Sequence, residues 1–159
     1  MANQTQRPDT ALHNTSHLMQ YHDLIESIVA AMDARDAYTA KHSDRVADMV
    51  LVLATALDLS EDETTLLHMA AHLHDIGKIA VPDSVLRKAG PLTSPEWEEM
   101  RRHPVTGYEI LRKVDDFKEI AALVRHHHER WDGRGYPDGL RGADIPLGSR
   151  ILAVADSID

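Results

Sequence analysis

Eleven histidines, several of them clustered, mark where this chain can do chemistry. Neutral imidazole is the commonest metal ligand, and carboxylates complete its shell. The adjacent pair His74 and Asp75 is the centre of the pattern. An aspartate with two oxygens can bridge two ions while the neighbouring imidazole binds one of them. Adjacent helical residues point about 100° apart, so both reach metals only if the metals sit between them. The plain alternative is a capping or surface pair. Lys78 follows one helical turn after His74, where an ammonium can hold a substrate phosphate or merely suit a helix C-terminus.

The other candidates need the same weighing. In the triplet His126, His127 and His128, two rings can face one site and one is left to solvent; a chance run is the alternative. His103 precedes Pro104, whose fixed backbone can project a ring into a cleft. His42 lies beside Arg45 on a helical stretch. Asp156 interrupts the apolar run 151–158, and burying a carboxylate there is costly without a metal, a cation or hydrogen bonds. His68 and His72 are one turn apart, but no carboxylate lies near them in sequence, so both read as ordinary histidines.

Composition narrows the chemistry. The absence of cysteine removes disulfides, thiolate nucleophiles and sulfur-ligated metals. A metal here takes His, Asp and Glu ligands, which suit iron, manganese, zinc or nickel. Seventeen basic against twenty-six acidic residues give a net charge of −9, with no Lys/Arg run, so the footprint of a nucleic-acid polymer binder is missing. Local positive charge for an anionic phosphate would then come from metal ions. No stretch is long enough to span a bilayer, and the N-terminus lacks the apolar core of a signal peptide, so the expected location is the cytoplasm.

The elements that must position these residues read as helices. Aromatics make up 4% of the chain against 43% apolar residues, a composition suited to packed helices. Residues 1–16 carry no period and read as a flexible tail or linker remnant. From His17 onward Leu18, Tyr21, Leu24, Ile25, Ile28, Val29 and Met32 recur at helical steps. A second helix is expected over Thr39 to Leu57. Ser60 with Glu63 is a capping box for a third, running towards Asp75 with Gly77 at its end. The segment Ala80 to Pro95 is loop with one helical turn near Ser84 to Arg87. Ser94, with Glu98 inside, caps a fourth helix that Pro104 breaks or restarts. Helices follow over Val105 to Lys113 and Asp116 to His128. Trp131 to Gly148, with five glycines and two prolines, is a long loop. A last helix runs from Gly148 to Asp159. The expected fold is all-α, a bundle of about six to seven helices. Its final apolar face has no stop signal, which predicts a domain incomplete at its C-terminus.

The ordered set His42 to Arg45, His74-Asp75-Ile76-Gly77-Lys78, His103-Pro104, His127-His128-Glu129, Asp132 to Pro137 and Ala155-Asp156 resembles the HD-GYP domain. That is a bacterial branch of the HD phosphohydrolase superfamily, and the match runs from about Ile28 to the last residue. The resemblance implies a helical bundle, here over residues 17–159, that holds two and sometimes three divalent metals, usually iron or manganese. It implies hydrolysis of cyclic di-GMP to pGpG and on to GMP. Carried over by motif position, the metal ligands are His42, His74, Asp75, His103, His127, His128 and Asp156. Asp75 bridges the ions, Lys78 meets the substrate phosphate, and Gly135, Tyr136 and Pro137 contact substrate or a partner such as a diguanylate cyclase. Members with three metals resemble one another in a glutamate four residues before the first ligand histidine; Tyr38 stands there, so two metals are expected. The family's further basic residues lie beyond the matched stretch.

The chemistry implied is metal-assisted phosphodiester hydrolysis. A bound metal lowers the pKa of water from about 15.7 towards about 7, so no protein nucleophile is needed. Alternatives are a phosphohydrolase for another nucleotide, cyclic GMP-AMP among them, and a signalling module without catalysis. Dimerisation through the first helix is a further expectation.

Overall fold

The apolar steps along the chain become helices whose ends are set by caps and prolines. The computed structural model describes residues 21–35 and 41–159. Its helices are α1 (His22–Arg35), α2 (His42–Ala56), α3 (Glu61–Leu73), α4 (Asp83–Leu86), α5 (Ser94–Met100), α6 (His103–Leu111), α7 (Lys118–Arg125) and α8 (Leu147–Ile158). Seven of these run seven residues or more, and no strand occurs among the described residues. The all-α expectation holds. The tail over 1–16, the helical onset at His17, the expected start at Thr39, and Tyr38 all lie outside the described residues.

The Ser60 capping box forms as the sequence predicts. The Ser60 N–H donates to Glu63 Oε2 at 2.9 Å, and the Ser60 hydroxyl accepts from the Glu63 N–H. At α5 the box sits one residue earlier than expected. Thr93, not Ser94, leads the helix, and its N–H donates to Glu96 at 2.7 Å, so Glu98 plays no capping part. Pro104 restarts the chain as α6, from its first turn, where a missing N–H costs nothing.

Two other boundaries move, and both matter for chemistry. α3 ends at Leu73, and a 3-10 turn over Ile76–Ala80 follows, so Gly77 lies inside that turn rather than at a helix end. α7 ends at Arg125, so the three histidines after it lie in a turn and escape helical spacing.

α3 runs through the middle of the bundle, against α1, α2, α7 and α8. Val46, Val50, Leu67, Ala70, Ala71, Ile120, Ala121, Val124, Leu152 and Ala155 are buried together. Alanine at four of these positions lets helices approach closely, and each larger aliphatic contributes about 1.5–3 kcal/mol by leaving water. The end of α3 is therefore delivered into the interior.

α1 is tied down at its C-terminal end by Arg35. Its guanidinium donates to the carbonyls of Lys78 (2.9 Å), Ile79 (2.7 Å) and Val81 (2.6 Å), bracing the end of the short 3-10 turn. Among the described residues no helix is long and apolar enough to cross a membrane.

Candidate metal centre

Four buried or half-buried imidazoles gather around Asp75: His74 at the end of α3, His103 opening α6, and His127 and His128 after α7. His74, His103 and His127 share one local arrangement. Each ring's Nδ1 faces the carbonyl three residues earlier: Ala71 at 2.7 Å, Met100 at 2.8 Å and Val124 at 2.6 Å. A carbonyl can only accept, so each Nδ1 carries the proton. In the neutral ring each Nε2 is then left with a lone pair, the tautomer that binds metal. At His74 desolvation is outweighed by Asp75 and Asp156, which raise the ring above the ordinary histidine value.

Those lone pairs converge. Nε2 of His103 lies 3.3 Å from Nε2 of His127 and 3.2 Å from Nε2 of His128. With neutral rings, the His103–His127 contact holds no proton between its nitrogens. Two nitrogens 2.0–2.1 Å from one ion at a tetrahedral angle stand about 3.3 Å apart, so a cation resolves the contact. Burial keeps these rings neutral. It lowers His103, drives His127 well below the ordinary histidine value with help from His128, and brings His128 down to about 4.

Asp75 faces both ways. Its Oδ1 lies 3.4 Å from Nε2 of His103, and its Oδ2 lies 3.3 Å from Nε2 of His74. The second contact is off the direction of a hydrogen bond, and Nε2 of His74 is buried without a hydrogen-bond partner. Burial opposes ionisation of Asp75, but His74, Lys78 and His103 together outweigh it and hold the carboxyl well below its usual range. Lys78 Nζ donates to Oδ2 at 2.6 Å across the 3-10 turn.

The side beyond His74 is built differently. His42 presents Nε2 to Asp156 at 3.1 Å and Nδ1 to Asp159 at 2.6 Å. Two acceptors on one ring require two protons. The Asp156 hydrogen bond, working against desolvation and aided by Asp159, pushes His42 up to about 9. Asp156 Oδ1 also stands 3.7 Å from Nε2 of His74, and Arg45 donates to both carboxylate oxygens of Asp159. His42, His74 and Asp75 form one group able to hold a metal ion, and His103, His127 and His128 form another.

Gly77 lets the two groups stand this close. A Cβ there would fall 1.9 Å from the His103 carbonyl oxygen, so only glycine allows the 3-10 turn to rest on α6. A cavity of about 320 Å³ opens on the other face of Asp75 and Lys78, walled mainly by Ile28, Met32, Ile76 and Ile79. None of the rings around Nε2 of His103 lines it.

The Gly-Tyr-Pro loop closes one wall. Gly135 passes so near Arg130 that a Cβ would meet its backbone nitrogen at 2.3 Å. Tyr136 lies against His128 with ring centroids 4.8 Å apart, and Arg101 covers the tyrosine ring at 4.7 Å. The Tyr136–Pro137 peptide is cis. Glu129, buried, accepts from the N–H groups of Asp138 (2.7 Å) and Gly139 (2.9 Å) and anchors the loop. Arg125, and less strongly His126, hold Asp138 down at about 2 against the opposing effect of desolvation.

The HD domain family profile matches residues 22–159. The chain belongs to the HD domain family. The resemblance to its HD-GYP branch, read from ordered motifs, is borne out by relatives of known name. This HD domain is 47% identical over 139 residues to the cyclic di-GMP phosphodiesterase response regulator RpfG of Xanthomonas campestris pv. campestris (strain 8004), covering 86% of this chain and 37% of the relative. It is 44% identical over 142 residues to 3′3′-cGAMP-specific phosphodiesterase 2 of Vibrio cholerae serotype O1, covering 86% and 27%. It is 40% identical over 139 residues to a cyclic di-GMP phosphodiesterase of Thermotoga maritima, covering 86% and 38%. The chain thus spans well under half the length of each. Among solved structures, Bd1817, an HDG"Y"P protein from Bdellovibrio bacteriovorus, shares the fold at TM-score 0.66 and 20% identity, over 94% of this chain and 57% of that one.

Every motif residue singled out from sequence falls in or beside this cluster of the HD domain: His42, His74, Asp75, Lys78, His103, His127, His128, Tyr136 and Asp156. His126 does not go to solvent. It turns to Asp138 at 3.0 Å because the chain has left the helix before reaching it. Asp159 was not singled out, although its place one turn after Asp156 puts it on the same helix face. Nor were Arg101 and Glu129 given roles; nothing local in the sequence shows that they hold the loop. The absence of a nearby carboxylate, on which His68 and His72 read as ordinary, is a feature of sequence distance alone. In space Asp44 of α2 comes 3.6 Å from Nδ1 of His72. Burial lowers both rings below the usual histidine value.

Proposed function

We propose that this HD domain hydrolyses a cyclic dinucleotide, cyclic di-GMP to pGpG and on to GMP, at a centre for two divalent ions, iron or manganese. The observation that carries the reading is the two-faced Asp75 carboxylate, with Oδ1 towards His103 and Oδ2 towards His74. One ion would take Nε2 of His103, His127 and His128 with Oδ1 of Asp75. The other would take Nε2 of His74, Oδ2 of Asp75, His42 and Asp156. The donors are nitrogen and oxygen only, which suits these metals. When bound, such ions activate water and neutralise charge on a phosphodiester.

The chain's own residues do the rest. The carbonyls of Ala71, Met100 and Val124 hold the Nδ1 protons of three rings and turn each Nε2 inward, and burial keeps His103 and His127 neutral. Lys78 keeps Asp75 ionised and sets an ammonium beside it, where a substrate phosphate can share the charge. Tyr136, with Arg101 over its ring, gives the nucleotide a flat wall next to His128. This reading places the chain in the cytoplasm, with diguanylate cyclases as candidate partners of the Gly-Tyr-Pro loop.

A second reading, hydrolysis of 3′3′-cGAMP, rests on relatives named for that substrate. Protein loaded anaerobically with Fe(II) or Mn(II) separates them when given each dinucleotide in turn and followed by chromatography. Appearance of pGpG and GMP, faster than cGAMP loss, is the expected result. Faster cGAMP turnover favours the second reading, and no turnover of either by metal-loaded protein sinks both.

A further inference from the structure

A second gathering of imidazoles lies outside this centre, where α1 crosses α3. His22 opens α1, and His68 and His72 stand one turn apart on α3. The His68 and His72 rings meet edge to face at 4.7 Å between centroids. His22 lies 6.1 Å from His68 and 6.0 Å from His72. One ligand atom from each of the three rings can be chosen so that all lie within 4.8 Å of one another.

The decisive group is His72. Its side chain is only 8% exposed, and its Nδ1 is buried without a hydrogen-bond partner. Leaving such a nitrogen unpaired costs about 1–3 kcal/mol, so the position calls for an occupant. The nearest acidic oxygen, Oδ1 of Asp44, stands 3.6 Å away, beyond hydrogen-bond reach but close enough to join an ion's shell. On the other side Glu26 Oε1 lies 3.4 Å from Nδ1 of His22, where a carboxylate favours the proton on Nδ1 and leaves the Nε2 lone pair free.

We propose that His22, His68 and His72, with Asp44 as a carboxylate donor, form a second metal site that takes a borderline divalent ion of the zinc class. Three imidazoles with one carboxylate and no sulfur match zinc, nickel or copper. The site bridges three helices: α1 through His22, α3 through His68 and His72, and α2 through Asp44. α1 is already fastened at its C-terminal end by Arg35; the ion fastens its N-terminal end. Its role is to hold α1 on the bundle, and it is independent of the hydrolytic reading.

Zn(II) is the probe. After loading and removal of free ion, metal per chain is counted in wild type, in His68→Gln/His72→Gln and in His22→Gln. The double variant should lose one equivalent, and His22→Gln should bind that equivalent about 10–100-fold more weakly, as expected of a lost ligand. Hydrogen exchange in α1 should slow on adding Zn(II) to wild type and not to either variant. An unchanged count in both variants, or α1 exchange indifferent to Zn(II), overturns the proposal. Circular dichroism checks that each variant is folded, and His22→Gln, at a half-exposed helix start, keeps the test intact should the double variant fail to fold.

Discussion

The two sides of Asp75 are built from the same residue types and end in opposite protonation states. On the His103 side, main-chain carbonyls hold the Nδ1 protons of His103 and His127, and burial keeps the rings neutral. On the His42 side, two carboxylates grip one ring by both nitrogens and keep it charged to about pH 9. The first arrangement has lone pairs facing one another and is ready for a cation. The second has already supplied its own cation, the imidazolium. An ion entering there must displace a proton and exchange the His42 pairs, so binding on that side is coupled to proton release. The lesson is that a histidine's carboxylate neighbours decide whether it waits as a ligand or acts as a counter-ion.

The comparison breaks most completely at the residue both sides share. Asp75→Asn removes the charge that faces His103 and His74 together, and metal binding on both sides should weaken by more than about 100-fold, with hydrolysis lost. Two ions retained tightly in that variant, counted by elemental analysis, would refute the bridging role. His42→Gln should divide the sides. The affinity of one ion falls about 10–100-fold while the other stays bound, which calorimetric titration with Mn(II) resolves. Equal weakening of both ions would show that the two sides do not bind separately.

The smallest effect is one of pH on the metal-free chain. His42 is raised from 6.5 to about 9 in the fold, so its contribution to stability is complete below about pH 6.5 and disappears as pH rises through about 9. Melting temperatures of wild type and His42→Gln should therefore differ most near pH 6 and converge above pH 9. A gap that is constant with pH would show that His42 is not held as an imidazolium.

Much of this was legible along the chain because it is local. Helical periodicity at Val46, Val50, Leu67 and Ile120, and the Ser60–Glu63 box, depend on neighbours within a few residues. The all-α bundle and the ligand-rich motifs followed from them. The sequence could also show that His74 and Asp75 were chemically suited to metal. It could not show which way their side chains point. That depends on where α3 stops and on the following 3-10 turn resting on α6 through Gly77. His68 and His72 illustrate the same limit from the other side. Their carboxylate neighbour, Asp44, is more than twenty residues away in the chain and belongs to another helix.

By itself, then, the sequence determined the residue chemistry, the helices and the family, since composition, period and motif are properties of short segments. Only the tertiary structure decided which ring nitrogens converge, which oxygens face which rings, and that His42 is gripped as a cation. Those are matters of distance and burial between segments far apart in the chain, and electrostatics in a dry interior depends on both.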